Sequence, residues 1–232
     1  MVKENFQIQT TNCIAFMDEA PEVILVQPVD SHDYEMLDSE TKYITEHTDK
    51  PFILVAFSVN DWNKDLSPWP APPVFGKEGF GNGAKETLAF VINELIPAVK
   101  TKYDISQDIP IILGGYSLAG LFALWSAYQT NAFTAIAAAS PSVWFPSFLE
   151  YAKSEDICVK HIYLSLGDKE EGAKNPIMST VGKCIRELSE HYQSKGLDSI
   201  LEWNEGNHFK EADIRTAKGF TWVSNEVNQK KN

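Results

Sequence analysis

The chain reads as an open α/β fold: a mostly parallel central sheet with helices on both faces. Three observations predict it. Short, β-rich apolar runs alternate along the chain with longer stretches of helical spacing. The middle runs are apolar throughout, as strands buried on both faces of a parallel sheet must be. No repeat, low-complexity tract or long linker interrupts the alternation, so one domain over residues 1–232 is expected.

The expected strands, in chain order, are Cys13–Met17, Val23–Gln27, Phe52–Phe57, Ile109–Leu113, Ala135–Ala139, His161–Leu166 and Ile200–Trp203. Between Ala84 and Lys102, residues Leu88, Val91, Ile92, Leu95, Ile96 and Val99 fall at helical spacing. The stretch from Leu118 to Tyr128 is apolar on nearly all sides, which predicts a buried helix. From Ile177 to Lys195 the apolar stripe is Met178, Val181, Ile185, Leu188 and Tyr192, with Gly196 as a left-handed stop. Open α/β sheets bind ligands outside the carboxyl ends of their strands, so the turns after the strands are where chemistry is expected.

Composition excludes several classes of function. The formal net charge is −12, against a nucleic-acid backbone or an anionic membrane as the main partner. No apolar run approaches the roughly 18 residues of a membrane span. Met1-Val2-Lys3-Glu4-Asn5 has no apolar segment behind it, so a secretory signal is not expected. The cysteines are Cys13, Cys158 and Cys184, an odd number without C-x-x-C spacing. They point to reduced thiols in a cytoplasmic compartment and away from a disulfide framework or a cysteine-held zinc. No histidine–carboxylate cluster has metal-ligand spacing, and no G-x-G-x-x-G or Walker-type loop is present, so no cofactor is implied.

One turn carries a strong signal. Ile109-Pro110-Ile111-Ile112-Leu113 runs into Gly114-Gly115-Tyr116-Ser117-Leu118-Ala119-Gly120 and then into the buried helix. A serine at the apex of a strand–turn–helix, with small residues two positions to either side, is the nucleophile elbow of α/β-hydrolases. Gly115 leaves the room this turn needs, and Ala119 stands where the motif G-x-S-x-G has its second glycine. Serine needs a histidine base and an orienting carboxylate, which follow in the chain order Ser, acid, His. After Ser117 come His161, which opens a strand at the wrong end of the sheet, His191 within a helix, and His208 in the turn Glu205-Gly206-Asn207-His208-Phe209 after the last strand. That leaves His208. The turn after the preceding strand, Gly167-Asp168-Lys169-Glu170-Glu171, offers three carboxylates. The N–H of Leu118 is the expected first oxyanion donor, at the start of the helix after the elbow.

Gly-Tyr-Ser-Leu-Ala-Gly, with Gly-Asn-His at a distance, resembles the esterase D-like branch of the α/β-hydrolases, with its feruloyl and siderophore esterases, S-formylglutathione hydrolases and mycolyltransferases. The resemblance spans about Val23 to Phe220. It implies that the acid stands three residues beyond the glycine, at Glu170, with Asp168 as the rival. It also implies that Val29, in Val26-Gln27-Pro28-Val29-Asp30, is the second oxyanion donor, although the family's glycine is missing there and Pro28 has no N–H. Only residues 140 to 160 lie between the strands ending at Ala139 and starting at His161, too few for a lid domain. The segment Ser58–Gly83 is expected to arch over the rim, with Trp62, Trp69 and Trp144 as candidate pocket walls and His32 and Asp33 as weaker substrate contacts. The expected activity is that of a serine carboxylesterase on small soluble esters, through an acyl-enzyme. The alternatives are a thioesterase of the S-formylglutathione hydrolase type and a silent α/β-hydrolase used as a binding module.

Overall fold

The computed structural model describes residues 1–74 and 76–227. Residue 75, inside the expected rim segment, and residues 228–232, the end of the expected domain, lie outside the described residues. Eight strands form one sheet: β1 (Val2–Ile8), β2 (Thr11–Met17), β3 (Val23–Val29), β4 (Phe52–Ser58), β5 (Ile111–Tyr116), β6 (Ala135–Ala139), β7 (His161–Gly167) and β8 (Asp198–Asn204). Their order is β1-β2-β4-β3-β5-β6-β7-β8. The β1–β2 and β2–β4 pairs are antiparallel, and all other pairs are parallel. Buried runs such as Phe52–Ser58 and Ala135–Ala139 become the inner strands, because neither of their faces meets water.

The helices are α1 (Ser31–His47), α2 (Trp62–Asp65), α3 (Ala84–Phe90), α4 (Ile96–Lys102), α5 (Leu118–Ser126), α6 (Phe148–Ser154), α7 (Val181–Ser194) and α8 (Ala212–Glu226). Alternate residues of each strand feed two cores. Ile24 and Val26 of β3 face the layer built by α3 to α7, whereas Val23, Leu25 and Val29 face α1 and α8. Helix α8 lies close on β5 because Gly114 has no side chain: a Cβ there would stand 2.6 Å from the Phe220 ring. Gly196 ends the last turn after α7 with φ +74°, in the left-handed region expected of it.

The sequence pattern misses or simplifies several elements. Helix α3 is separated from α4 by a π-helical turn, Val91–Leu95, where the expectation was one continuous helix. Pro97 has no N–H for the carbonyl of Asn93, and the ladder widens just before it, with Ile96 N–H bonding to Val91 O. The strand expected from Ile109 starts at Ile111 and runs on to Tyr116. Strand β1 and helices α1 and α8 were not anticipated. Between β6 and β7 the chain makes one short helix, α6, and no lid. None of the described helices is long and apolar enough to cross a membrane.

Candidate active site

The sheet's carboxyl edge gathers the site. Strand β5 ends at Tyr116, and Ser117 forms the bend into α5 with φ 57° and ψ −118°. Such a backbone costs on the order of 1–3 kcal/mol and persists only where its surroundings enforce it. Here the Ser117 N–H donates to Ala139 O at 3.1 Å, and its carbonyl accepts from Ser142 N–H at 3.0 Å. Gly115 makes the bend sterically open, since a Cβ on it would lie 2.6 Å from the Ala119 Cβ.

Ser117 Oγ lies 3.0 Å from His208 Nε2, and His208 Nδ1 lies 2.7 Å from Glu170 Oε2. His208 comes from the turn after β8, and Glu170 from the short 3-10 turn after β7. The other carboxylate oxygen, Glu170 Oε1, accepts from Ser140 Oγ at 2.7 Å and from Gly167 N–H at 2.7 Å. Glu170 is 6% exposed. Burial alone would raise its pKa, but the hydrogen bonds from His208, Ser140 and Gly167 outweigh it and hold the carboxyl below its ordinary range. Tyr116, whose ring is tilted 5.1 Å from that of His208, is pushed up to about 12 by burial and by the Glu170 charge.

The rival carboxylates are engaged elsewhere. Asp168 is exposed, and its Oδ1 accepts from Gly206 N–H at 2.7 Å, tying the β7 turn to the β8 turn. Glu171 pairs with Arg186 at 2.9 Å. His161 sits near Asp198 at the amino end of β7, and His191 lies on α7.

Leu118 opens α5, so its N–H is among the donors a helix leaves without an internal partner, at the positive end of the helix dipole. Val29 is placed differently from the expectation. It is the last residue of β3 and registers with Ser58, and its carbonyl accepts from Val59 N–H. In an extended strand the N–H and C=O of one residue point the same way. The Val29 N–H therefore turns toward β4, away from Ser117. Residues of the opposite parity face β5, as Ile24 N–H does in donating to Pro110 O. Pro28 shares that parity but has no N–H. Asp30, extended at the N-cap of α1, accepts from the N–H groups of His32 and Asp33 with its side chain.

Two cavities lie along the carboxyl edge of the sheet. On the β7–β8 side, a cavity of about 220 Å³ is bounded by Ser140, Trp144, Glu170, Met178, Val181, His208 and Phe209. On the β3–β4 side, an open groove of about 950 Å³ is lined by Asn5, Gln7, Asn12, Asp30, Tyr34 and Asn60 among others. Of the tryptophans singled out from the sequence, Trp144 walls the first cavity. Trp69 packs on Phe145 and Tyr151 and donates its indole N–H to Pro146 O at 2.9 Å, and Trp62 lies against the core, so neither lines either cavity. His32 is exposed on the first turn of α1, and Asp33 lines neither cavity, lying instead with Gln27 and Glu40 along a separate small crevice. Met178, Val181 and Phe209 also line the first cavity, and none of them is among the pocket walls expected from the sequence. Phe209 is 89% exposed at the rim, and its place directly after His208 was the available signal.

A mostly parallel eight-stranded sheet in this order, with a strained serine bend after β5, defines an α/β-hydrolase. Residues 19–212 match the family described as "Putative esterase", and the chain belongs to that family: it is a carboxylesterase-type hydrolase. Among solved structures it is similar to an IroE-like serine hydrolase from Shewanella oneidensis, at 17% identity and a TM-score of 0.78 over 96% of this chain and 80% of that one. It is also similar to the siderophore hydrolase EstA from Aspergillus nidulans, at 19% identity and a TM-score of 0.71 over 97% of this chain and 94% of that one. A ferulic acid esterase matches at 14% identity with a TM-score of 0.64, over 97% of both chains. At these identities the likeness concerns the fold. No curated protein matches the chain by sequence.

Proposed function

We propose that the chain is a serine carboxylesterase acting on small esters through an acyl-enzyme, with Ser117 as nucleophile, His208 as base and Glu170 as the orienting acid. One observation carries the reading: the unbroken chain of contacts from Ser117 Oγ to His208 Nε2 at 3.0 Å and from His208 Nδ1 to Glu170 Oε2 at 2.7 Å. Ser117 Oγ attacks the ester carbonyl as its proton passes to His208 Nε2. The resulting imidazolium keeps its Nδ1–H on Glu170 Oε2, which fixes the tautomer and balances the charge. The tetrahedral oxyanion forms against the N–H of Leu118. Collapse expels the alcohol, which takes the proton from His208. Water then repeats the sequence on the acyl-enzyme and restores Ser117.

The cavity of about 220 Å³ beside His208, walled by Trp144, Met178, Val181 and Phe209, supports a short or aromatic group on the ester. The same reading takes the chain as one catalytic domain. The free thiols of Cys13, Cys158 and Cys184 support a reducing, cytoplasmic setting. The test is labelling by a fluorophosphonate probe together with hydrolysis of p-nitrophenyl esters. Wild-type protein should label and turn over, while Ser117→Ala should do neither, with kcat reduced on the order of 10⁴-fold or more. A folded Ser117→Ala retaining more than about a tenth of the wild-type rate would remove the mechanism.

A further inference from the structure

Arg215 of α8 is one of two arginines in the chain and is 1% exposed. It stands behind Glu170, on the side away from His208. Its Nη1 donates to Glu170 Oε1 at 3.0 Å and lies 3.1 Å from Tyr116 Oη and 3.3 Å from Ser140 Oγ. Its Nη2 donates to Glu205 O at 3.0 Å. The Tyr116 hydroxyl in turn donates to the backbone carbonyl of His208 at 2.7 Å. One guanidinium thus touches the acid directly and reaches the backbone of the base through a single hydroxyl.

A buried ion pair is by itself a weak source of stability, because desolvation consumes most of what the pairing returns. The placement of this one has consequences for the residues in front of it. We propose that Arg215 is a positioning residue that holds Glu170 and His208 in register. The proposal rests on the assignment of Ser117, His208 and Glu170 made above.

The proposal follows from counting acceptors. Glu170 Oε1 already serves Ser140, Gly167 and Arg215, so Oε2 alone is turned to Nδ1, in one orientation.

The experiment is kcat and KM for p-nitrophenyl acetate in the wild type, Arg215→Gln, Arg215→Lys and Tyr116→Phe, with Ser117→Ala as control. In Arg215→Gln kcat should fall by about ten- to a hundredfold with KM nearly unchanged. Arg215→Lys keeps a donor for Glu170 Oε1 and should recover part of that loss. Tyr116→Phe cuts only the tether to the His208 carbonyl and should lower kcat with KM in place. A wild-type kcat in Arg215→Gln, or a KM that rises as kcat falls, overturns the proposal. Should Arg215→Gln not fold, the other two variants decide, and a wild-type kcat in Tyr116→Phe or an Arg215→Lys whose KM rises as its kcat falls overturns it. An active Ser117→Ala would instead topple the underlying assignment, a result distinct from any of these.

Discussion

Glu40 offers a quantitative test of the interior beside the site. It lies on α1, is 4% exposed, and takes both of its hydrogen bonds from Gln27 Nε2, at 3.0 Å to each oxygen. Burial, with the charges of Asp33 and Asp213 adding to it, pushes its carboxyl up to about 8 from an ordinary 4.5, against the contribution of Gln27. Between those two values the folded chain holds a proton that the unfolded chain has released. Unfolding therefore sheds a proton, and stability falls as pH rises through this window. At about 1.4 kcal/mol per pH unit, the loss by pH 8 is on the order of 5 kcal/mol relative to pH below 4.5. Glu40→Gln removes the titration. Its amide forfeits one of the two Gln27 contacts, a pH-independent cost of about 1 kcal/mol. Thermal or urea unfolding of both proteins at pH 5, 6.5 and 8 reads the effect, because the titrating groups that do not interact with Glu40 cancel in the difference. The variant should be near or slightly below wild type at pH 5 and more stable by several kcal/mol at pH 8. For a chain of this size that is about 10 °C in Tm. A difference that stays constant across the three pH values would refute the reasoning.

Three further outcomes are expected. Glu170→Gln should lose up to about 10⁴-fold in kcat on p-nitrophenyl esters, while Asp168→Asn, which keeps an oxygen for Gly206 N–H, should stay near normal; the reverse ranking would move the acid to Asp168. Because the Glu170 carboxyl is held below its ordinary 4.5, its stabilising contribution is complete above that pH and is lost as pH falls through the lowered folded value, so Glu170→Gln should flatten the acid end of a Tm-against-pH curve, and an unaltered acid end would count against the pairing. Across p-nitrophenyl esters of increasing chain length, kcat/KM should peak at short or aromatic acyl groups, and Trp144→Ala should extend it toward longer ones; activation of the wild type by a long-chain triglyceride interface would contradict the small cavity.

The parts of the fold legible in the sequence are those whose burial is written in side-chain polarity. Strands β3 to β7 are apolar because both of their faces are covered, and their runs stand out. Strand β1 is an edge strand with a largely exposed, mixed pattern, VKENFQI, so no continuous apolar run marks it. Helix α1 hides for another reason. Its buried residues are Leu37, Glu40, Thr41 and Ile44, spaced correctly for a helix, but half of them are polar. Helix α8 repeats this, with Arg215, Thr216, Thr221 and Ser224 among its buried residues. A pattern argument equates polar with exposed, and it fails where the interior holds hydrogen-bonded polar groups.

The same division runs through the site. The Ser117 bend is a local event, set by Gly115 and Ala119 within a few positions, and local events leave motifs. His208 and Glu170 are legible at one remove, because the fold delivers them from the turns after two identifiable strands. Val29 shows where that inference runs out. Which strand supplies a backbone donor can be read from the sequence, but which way a given N–H points depends on ladder parity, and parity is fixed only by the pairing of Val29 with Ser58. Arg215 lies further still from any pattern. It stands 45 residues beyond Glu170 on a helix whose polar positions read as surface, and no spacing rule connects the two. Its position becomes evident only when Glu170 Oε1 is asked for every one of its donors. Local chemistry at a bend can thus be read from sequence, whereas the buried charged groups that stand behind it lie where only the three-dimensional accounting of polar groups reaches.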